Sequence, residues 1–189
     1  MIYSFRMNFT RLQKEIQAYD AQREELIKKS RDVLKLSKQV IYAVHRGDSA
    51  VSLVNQMEKE KRALDSIATH SAKMLSEGSY KIAIQEYVEA LLYFNFVKSG
   101  KLIDIDAQPE HLVLGLSDLP GELVRKAVFL AGKGEVDKVV AIKDTVDMIY
   151  GELLKFDFRD NEIRRKVDAV KYELRKLEDL VLDLKLKGR

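Results

Sequence analysis

The chain of 189 residues has no cysteine and no tryptophan, and proline occurs only twice. Without cysteine there is no disulfide framework, no thiolate ligand for zinc and no thiol nucleophile. Two prolines, nine glycines and no strand–turn–strand alternation leave few breaks in the helical periodicity, which favours an all-α chain. No apolar run reaches about 18 residues without a charge, and the start, MIYSFRMNFTR, lacks a signal-peptide apolar stretch. The expectation is a soluble, cytoplasmic protein with no membrane contact. Ser-His-Asp chemistry, a phosphate-cradling Gly-rich loop and an EF-hand loop are also missing. The three histidines, His45, His70 and His111, are scattered without metal-ligand spacing and read as structural. At this length a single all-helical domain over residues 1–189 is expected.

Against these absences stands one acid-bearing stretch, Ser79–Val97, SYKIAIQEYVEALLYFNFV. From Ile82 to Val97 only Gln85, Glu86, Glu89 and Asn95 are polar, so a helix here is apolar nearly all round and belongs in the middle of a bundle. Glu86 and Glu89 are three apart and share one side of it. Burying an unpaired carboxylate costs several kcal/mol, so both need a cation, a proton or a strong donor. A second pair, Asp118 and Glu122, follows four apart in GLSDLPGELVRK. Two inward acid pairs on two core helices make a candidate Mg²⁺ cage, with Mn²⁺ as the alternative ion. From the pattern alone a different reading stays open, in which Glu86 and Glu89 lie on a solvated strip and Asp118 caps a helix resumed after Pro120.

Helical spacing runs almost unbroken from Asn8 to Arg46, predicting one long helix, or two with a bend, of roughly 55–60 Å. Between Leu26 and Arg46 there are six Lys or Arg against one acid. Lys28, Arg31, Lys35, Lys38, Tyr42 and Arg46 fall on one stripe; Leu26, Val33, Val40 and Val44 fall on the opposite one. An acid-poor basic stripe suits phosphates and binds without sequence preference, although lysines also fill ordinary solvated faces. Gly47 ends this helix and Asp48 is expected to cap the next, Ala50–Ser76, with Val51, Val54, Met57, Leu64, Ile67 and Met74 inward. The remaining helices are predicted over Ser79–Gly100, Pro109–Ala131, Glu135–Lys155 and Asn161–Lys187, six or seven in all. The last repeats Ile163, Val167, Val170, Leu174, Leu177, Val181 and Leu184 as a heptad seam, packed either within the chain or between subunits.

QEYVEA followed by FVKSGKLI, together with GLSDLPGELVRKAVFLAGKGE, resembles the paired core helices of the translin family, in its TRAX-like catalytic branch. SRDVLKLSKQVIYAVHR resembles the basic helix of the same branch through Ser30, Arg31, Asp32, Ser37, Lys38, Ile41, His45 and Arg46. The final helix, KVDAVKYELRKLEDLVLDLKLKG, is at least as similar to translin itself. The resemblance implies an α-superhelical bundle whose copies close into a hollow homo-oligomer, an octamer by preference, around single-stranded RNA or short RNA duplexes, with single-stranded DNA a further ligand. It also implies a Mg²⁺-dependent endoribonuclease that hydrolyses phosphodiester bonds with metal-activated water. Carried over, Glu86, Glu89, Asp118 and Glu122 become metal-binding and catalytic, and Lys28, Arg31, Lys35, Lys38 and Arg46 hold RNA. Translin-type chains lack the complete quartet, so the alternative is a non-catalytic RNA- or DNA-binding protein. Two features depart from the family pattern: Pro120 interrupts the second acid element, and the link between the core helices is shorter than in animal members.

Overall fold

In a computed structural model describing residues 7–187, the chain forms seven α-helices and, among those residues, no strand. The first, α1 (Phe9–Arg46), is one helix of 38 residues rather than two joined by a bend. Asn8 starts it: its side-chain oxygen accepts from the Arg11 backbone N–H at 2.9 Å, satisfying a donor that a helix start otherwise leaves unpartnered. Gly47 ends it with φ at 80°, a left-handed conformation that glycine adopts without steric cost. Leu26, Val33, Val40 and Val44 are buried, as their spacing predicts. The N-terminal part of the helix is different, with Phe9 and Ile16 about 60% exposed.

The helix expected over Ala50–Ser76 is divided into α2 (Val51–Ala68) and α3 (Ala72–Leu75). The Thr69 hydroxyl donates back to the Asp65 carbonyl at 2.9 Å, and the Ser71 hydroxyl accepts from the Met74 N–H at 3.2 Å. Short hydroxyl side chains compete with the backbone ladder in this way, and here they close one helix and open another. The seventh helix comes from this break. Asp48 does not cap α2; it pairs with Arg46 at 3.2 Å, and Ala50 takes the cap position without a side-chain bond. Val51, in the first turn, is half exposed rather than inward, Ile67 is half buried, and Val54, Met57, Leu64 and Met74 are buried.

Helix α4 (Gly78–Ser99) is the centre of the bundle and packs on α1, α2 and α5. It buries residues on nearly every side, from Tyr80 to Phe96, as a helix with only four polar residues between Ile82 and Val97 requires. After it, α5 (Pro109–Gly132) opens on Pro109, whose missing N–H costs nothing in a first turn. It continues unbroken through Pro120, so Asp118 caps no second helix. Helices α6 (Val136–Leu153) and α7 (Asn161–Lys187) pack on α5 and on each other. The Asp160 carboxylate caps α7, accepting from the N–H groups of Glu162 and Ile163 at 2.7 and 3.0 Å. The seam Ile163–Val181 is buried against α5 and α6 of the same chain, with Leu184 half buried, so it packs within the chain.

One contact fixes how the two acid-bearing helices meet. A Cβ placed on Gly115 of α5 would lie 2.6 Å from Val88 Cγ1 and 2.8 Å from the Gln85 carbonyl oxygen of α4. Only a residue without a side chain allows that approach. It sets the turn carrying Glu86 and Glu89 directly across from the turn carrying Asp118 and Glu122. Among the described residues no helix is long and apolar enough to cross a membrane.

Candidate active site

The four acids line one cleft of about 490 Å³, with Lys38, Ile41 and Tyr42 from α1, Arg125 from α5 and Lys166 from α7. Each pair is placed by helical geometry, three or four residues apart on one face, and Gly115 brings the two faces together. Pro120 has no N–H to give the Leu116 carbonyl, yet α5 keeps its course and Asp118 and Glu122 both remain in the cleft.

The four carboxylates are held differently. Asp118 accepts from Lys166 Nζ at 2.6 Å and from the Gln85 amide. Glu122 accepts from the His45 ring through Nε2, and His45 Nδ1 lies 2.9 Å from the Tyr93 hydroxyl. Glu86 and Glu89 form no hydrogen bond or ion pair among the described residues, and Glu89 is only 8% exposed. Burial, then the charges of Asp118, Glu86 and Glu122, push the Glu89 carboxyl up to about 8. The half-buried Glu86 is raised as well, first by burial; Lys38 opposes the rise, and Asp118 adds to it. A group of carboxylates lifted by burial and by one another favours whatever brings positive charge among them. Its donors are oxygens only, the set that suits Mg²⁺ or Mn²⁺. Among the described residues Glu86 and Glu89 have no hydrogen-bond or ion-pair partner, so the residues fit a hard divalent ion. Among the described residues no three acidic or histidine side chains converge into a finished cage; Asp118 and Glu122 are each bonded to a protein group.

Beside the cleft runs a groove of about 830 Å³, lined by Arg31, Lys35, Lys38 and Arg46 over Leu34, Ala43 and Leu53. Lys38 and Tyr42 line both spaces, so groove and cleft adjoin. Tyr42 is 55% exposed, not packed, with the Arg46 guanidinium 5.8 Å from its ring centre. Lys28 is exposed on the same helix but lies outside the groove lining. The neighbouring Lys29 is turned away to Glu60 at 2.7 Å.

Lys166, Arg125, Gln85 and His45 enter the site although sequence reasoning assigned them no role there. Lys166 and Arg125 are single charges among many on amphipathic helices, and nothing in their spacing marks them. His45 was read as structural, yet it contacts an acid of the cleft. It lies four residues from Ile41 and three from Tyr42, both of which line the cleft, but that flank of α1 is identified only once the helices are packed. His70 is exposed and bonded only to the Ile67 carbonyl, at 3.0 Å. His111 is buried at the edge of Tyr80, and burial lowers its pKa.

Comparison with known proteins gives a consistent result. The chain is 25% identical to Translin-associated protein X of Pongo abelii over 229 residues, spanning 95% of this chain and 78% of that protein. Among solved structures it superposes on apo-NeC3PO with a TM-score of 0.78 at 25% identity, covering 96% of this chain and 100% of the other. It superposes on AfC3PO, solved in complex with duplex RNA, with a TM-score of 0.78 at 24% identity, covering 96% and 98%. Residues 21–188 match the translin family, and with nearly the whole chain inside that match the protein belongs to it.

Proposed function

We propose that this protein is a Mg²⁺-dependent endoribonuclease of the TRAX type, acting on single-stranded RNA or short duplexes. The observation that carries the reading is that the acid-lined cleft adjoins the basic groove, with Lys38 and Tyr42 lining both. Arg31, Lys35, Lys38 and Arg46 hold phosphates along α1, with Lys28 extending the track, and deliver the backbone to the acids. Glu86, Glu89, Asp118 and Glu122 hold the ion. Bound there, Mg²⁺ supplies a Lewis acid for the phosphodiester and a lowered pKa for water. Lys166 and Arg125 stand at the same cleft as cations able to meet the non-bridging oxygens of the substrate. Similarity to AfC3PO, solved in complex with duplex RNA, supports RNA as the ligand; the proposed container is a closed homo-oligomer, an octamer by preference. The exposed apolar N-terminal part of α1 supports burial against further copies.

The test is incubation of the pure protein with labelled RNA, with and without Mg²⁺. Glu86→Gln and Asp118→Asn each remove a ligand charge while keeping volume, and each is expected to abolish Mg²⁺-dependent cleavage without changing helical content. Activity within threefold of the parent in both variants refutes the site. Light scattering that returns a monomer of 21.7 kDa at micromolar concentration refutes the assembly. One observation favours a second reading, a non-catalytic RNA- or single-stranded-DNA-binding protein: Lys166 already occupies Asp118 at 2.6 Å. Retention of RNA with no cleavage at any Mg²⁺ or Mn²⁺ concentration decides for it.

A further inference from the structure

The inner wall of the cleft carries a buried relay that the reading above does not use. Tyr93 of α4 is fully buried, and the His45 side chain is 8% exposed. The two rings are 4.8 Å apart, and the Tyr93 hydroxyl lies 2.9 Å from His45 Nδ1. On the far side His45 Nε2 meets Glu122 Oε2. For a neutral imidazole these contacts leave one consistent hydrogen arrangement. A carboxylate only accepts, so the nitrogen facing Glu122 carries the hydrogen. The neutral imidazole then has a bare Nδ1, which accepts from the Tyr93 O–H. The two bonds cross from α4 to α1 and from α1 to α5.

We infer that His45 is a positioning residue for Glu122, and that Tyr93 selects the His45 tautomer that makes it one. The inference rests on the acid cleft being a divalent-ion site. With Oε2 bonded to the ring, Glu122 is held in one rotamer and presents Oε1 to the cleft. A glutamate on an exposed flank otherwise samples several rotamers, and fixing them in advance raises the affinity of a ligand set for its ion. Gln85 and Lys166 act similarly on Asp118, but both belong to the rim of the cleft. The Tyr93–His45 pair is buried behind Glu122. In the other tautomer Nε2 would face the carboxylate with a lone pair, and in a flipped ring a carbon would take its place; either way Glu122 would lose its donor.

The inference is tested on the full chain with Mn²⁺ alone, by titration calorimetry, and by ¹⁵N NMR of the metal-free protein with labelled histidine. In the parent, His45 is expected as a single tautomer with Nε2 protonated and Nδ1 bare. Tyr93→Phe deletes one oxygen from a buried ring, and it is expected to mix the tautomers and weaken Mn²⁺ binding about tenfold. His45→Phe is expected to weaken it by roughly 10–100-fold, the usual range for losing a partner of a metal ligand. His45→Gln, which can place an amide N–H near the lost Nε2–H, is expected to bind more tightly than His45→Phe. RNA retention in EDTA is expected within twofold of the parent in all three, because the basic groove is untouched. A parent that binds no Mn²⁺ refutes the metal-site reading and this inference with it. A parent that binds Mn²⁺ while folded Tyr93→Phe and His45→Phe variants match it within twofold refutes this inference alone. A parent His45 with Nδ1 protonated does the same.

Discussion

Replacing Glu89 by glutamine should make the metal-free protein more stable, although it removes a residue expected at the reaction centre. Glu89 is 8% exposed, has no partner among the described residues, and its carboxyl is pushed up to about 8 from an ordinary 4.5. That gap corresponds to roughly 4–5 kcal/mol at 1.36 kcal/mol per pH unit. About 3 kcal/mol of it is in force at pH 7, one unit below the folded value. Burial is the larger cause and the other three acids the rest, so removing the charge relieves both. A buried amide brings unmet hydrogen bonds of its own, which reduces the net gain to about 2 kcal/mol. For a chain of this size that is a rise of roughly 4–8 °C in Tm. The sign with pH follows from the raised carboxyl: its contribution is full below about 4.5 and is lost as pH climbs through 8. The Glu89→Gln advantage therefore closes toward pH 4.5 and is widest above pH 8. Mg²⁺ is expected to reverse the ranking, since an ion that binds only the folded parent would add about 2.7 kcal/mol at a hundredfold excess over Kd. The assay is thermal unfolding of both proteins in EDTA from pH 4.5 to 9, then in Mg²⁺. A variant that melts at or below the parent at pH 8 in EDTA, or a gap indifferent to pH, refutes the reasoning.

Gly115→Ala gains about 1 kcal/mol of helix propensity, but its Cβ meets Val88 Cβ and the Gln85 carbonyl inside 3 Å, which no side-chain rotation relieves. Overpacking of roughly 1–3 kcal/mol wins, so denaturant unfolding should show a net loss of about 1–2 kcal/mol together with weaker Mn²⁺ binding; unchanged stability refutes the close approach. Lys35→Gln with Lys38→Gln should weaken RNA binding about equally across sequences and flatten its salt dependence by a slope of roughly 0.7 per lost contact. Unchanged affinity at low salt in a folded double variant makes the stripe an ordinary solvated face.

The elements were legible because their signals are local. A 3.6-residue apolar period, Gly47 and Gly100 at helix ends and Pro109 at a helix start each act within a turn or two of chain, and each lies where the structure has it. The break at Thr69–Ser71 was missed because it depends on hydroxyls choosing the backbone over solvent, and composition does not show that choice. Asp48 was misread for the complementary reason: a cap signal competes with an ion pair two residues away. Of the site, the four acids were legible as pairs, since spacing on one helix is a property of sequence. What joins the pairs is not, because Gly115 reads as one glycine among nine until Val88 and Gln85 are found against it. Lys166 and His45 arrive from α7 and α1, 48 and 77 residues from the acids they touch, and no periodicity encodes such an encounter.

The same distinction explains why Pro120 is tolerated. A proline inside a helix costs about 3 kcal/mol when the turn is held only by its own ladder. Here Asp118 is fixed from outside by Lys166 and Gln85, Glu122 by His45, and Pro120 itself is buried in the bundle between them. Tertiary bonds from three other helices do what the missing N–H cannot. The acids keep their face because their orientation is set across the cleft rather than along α5.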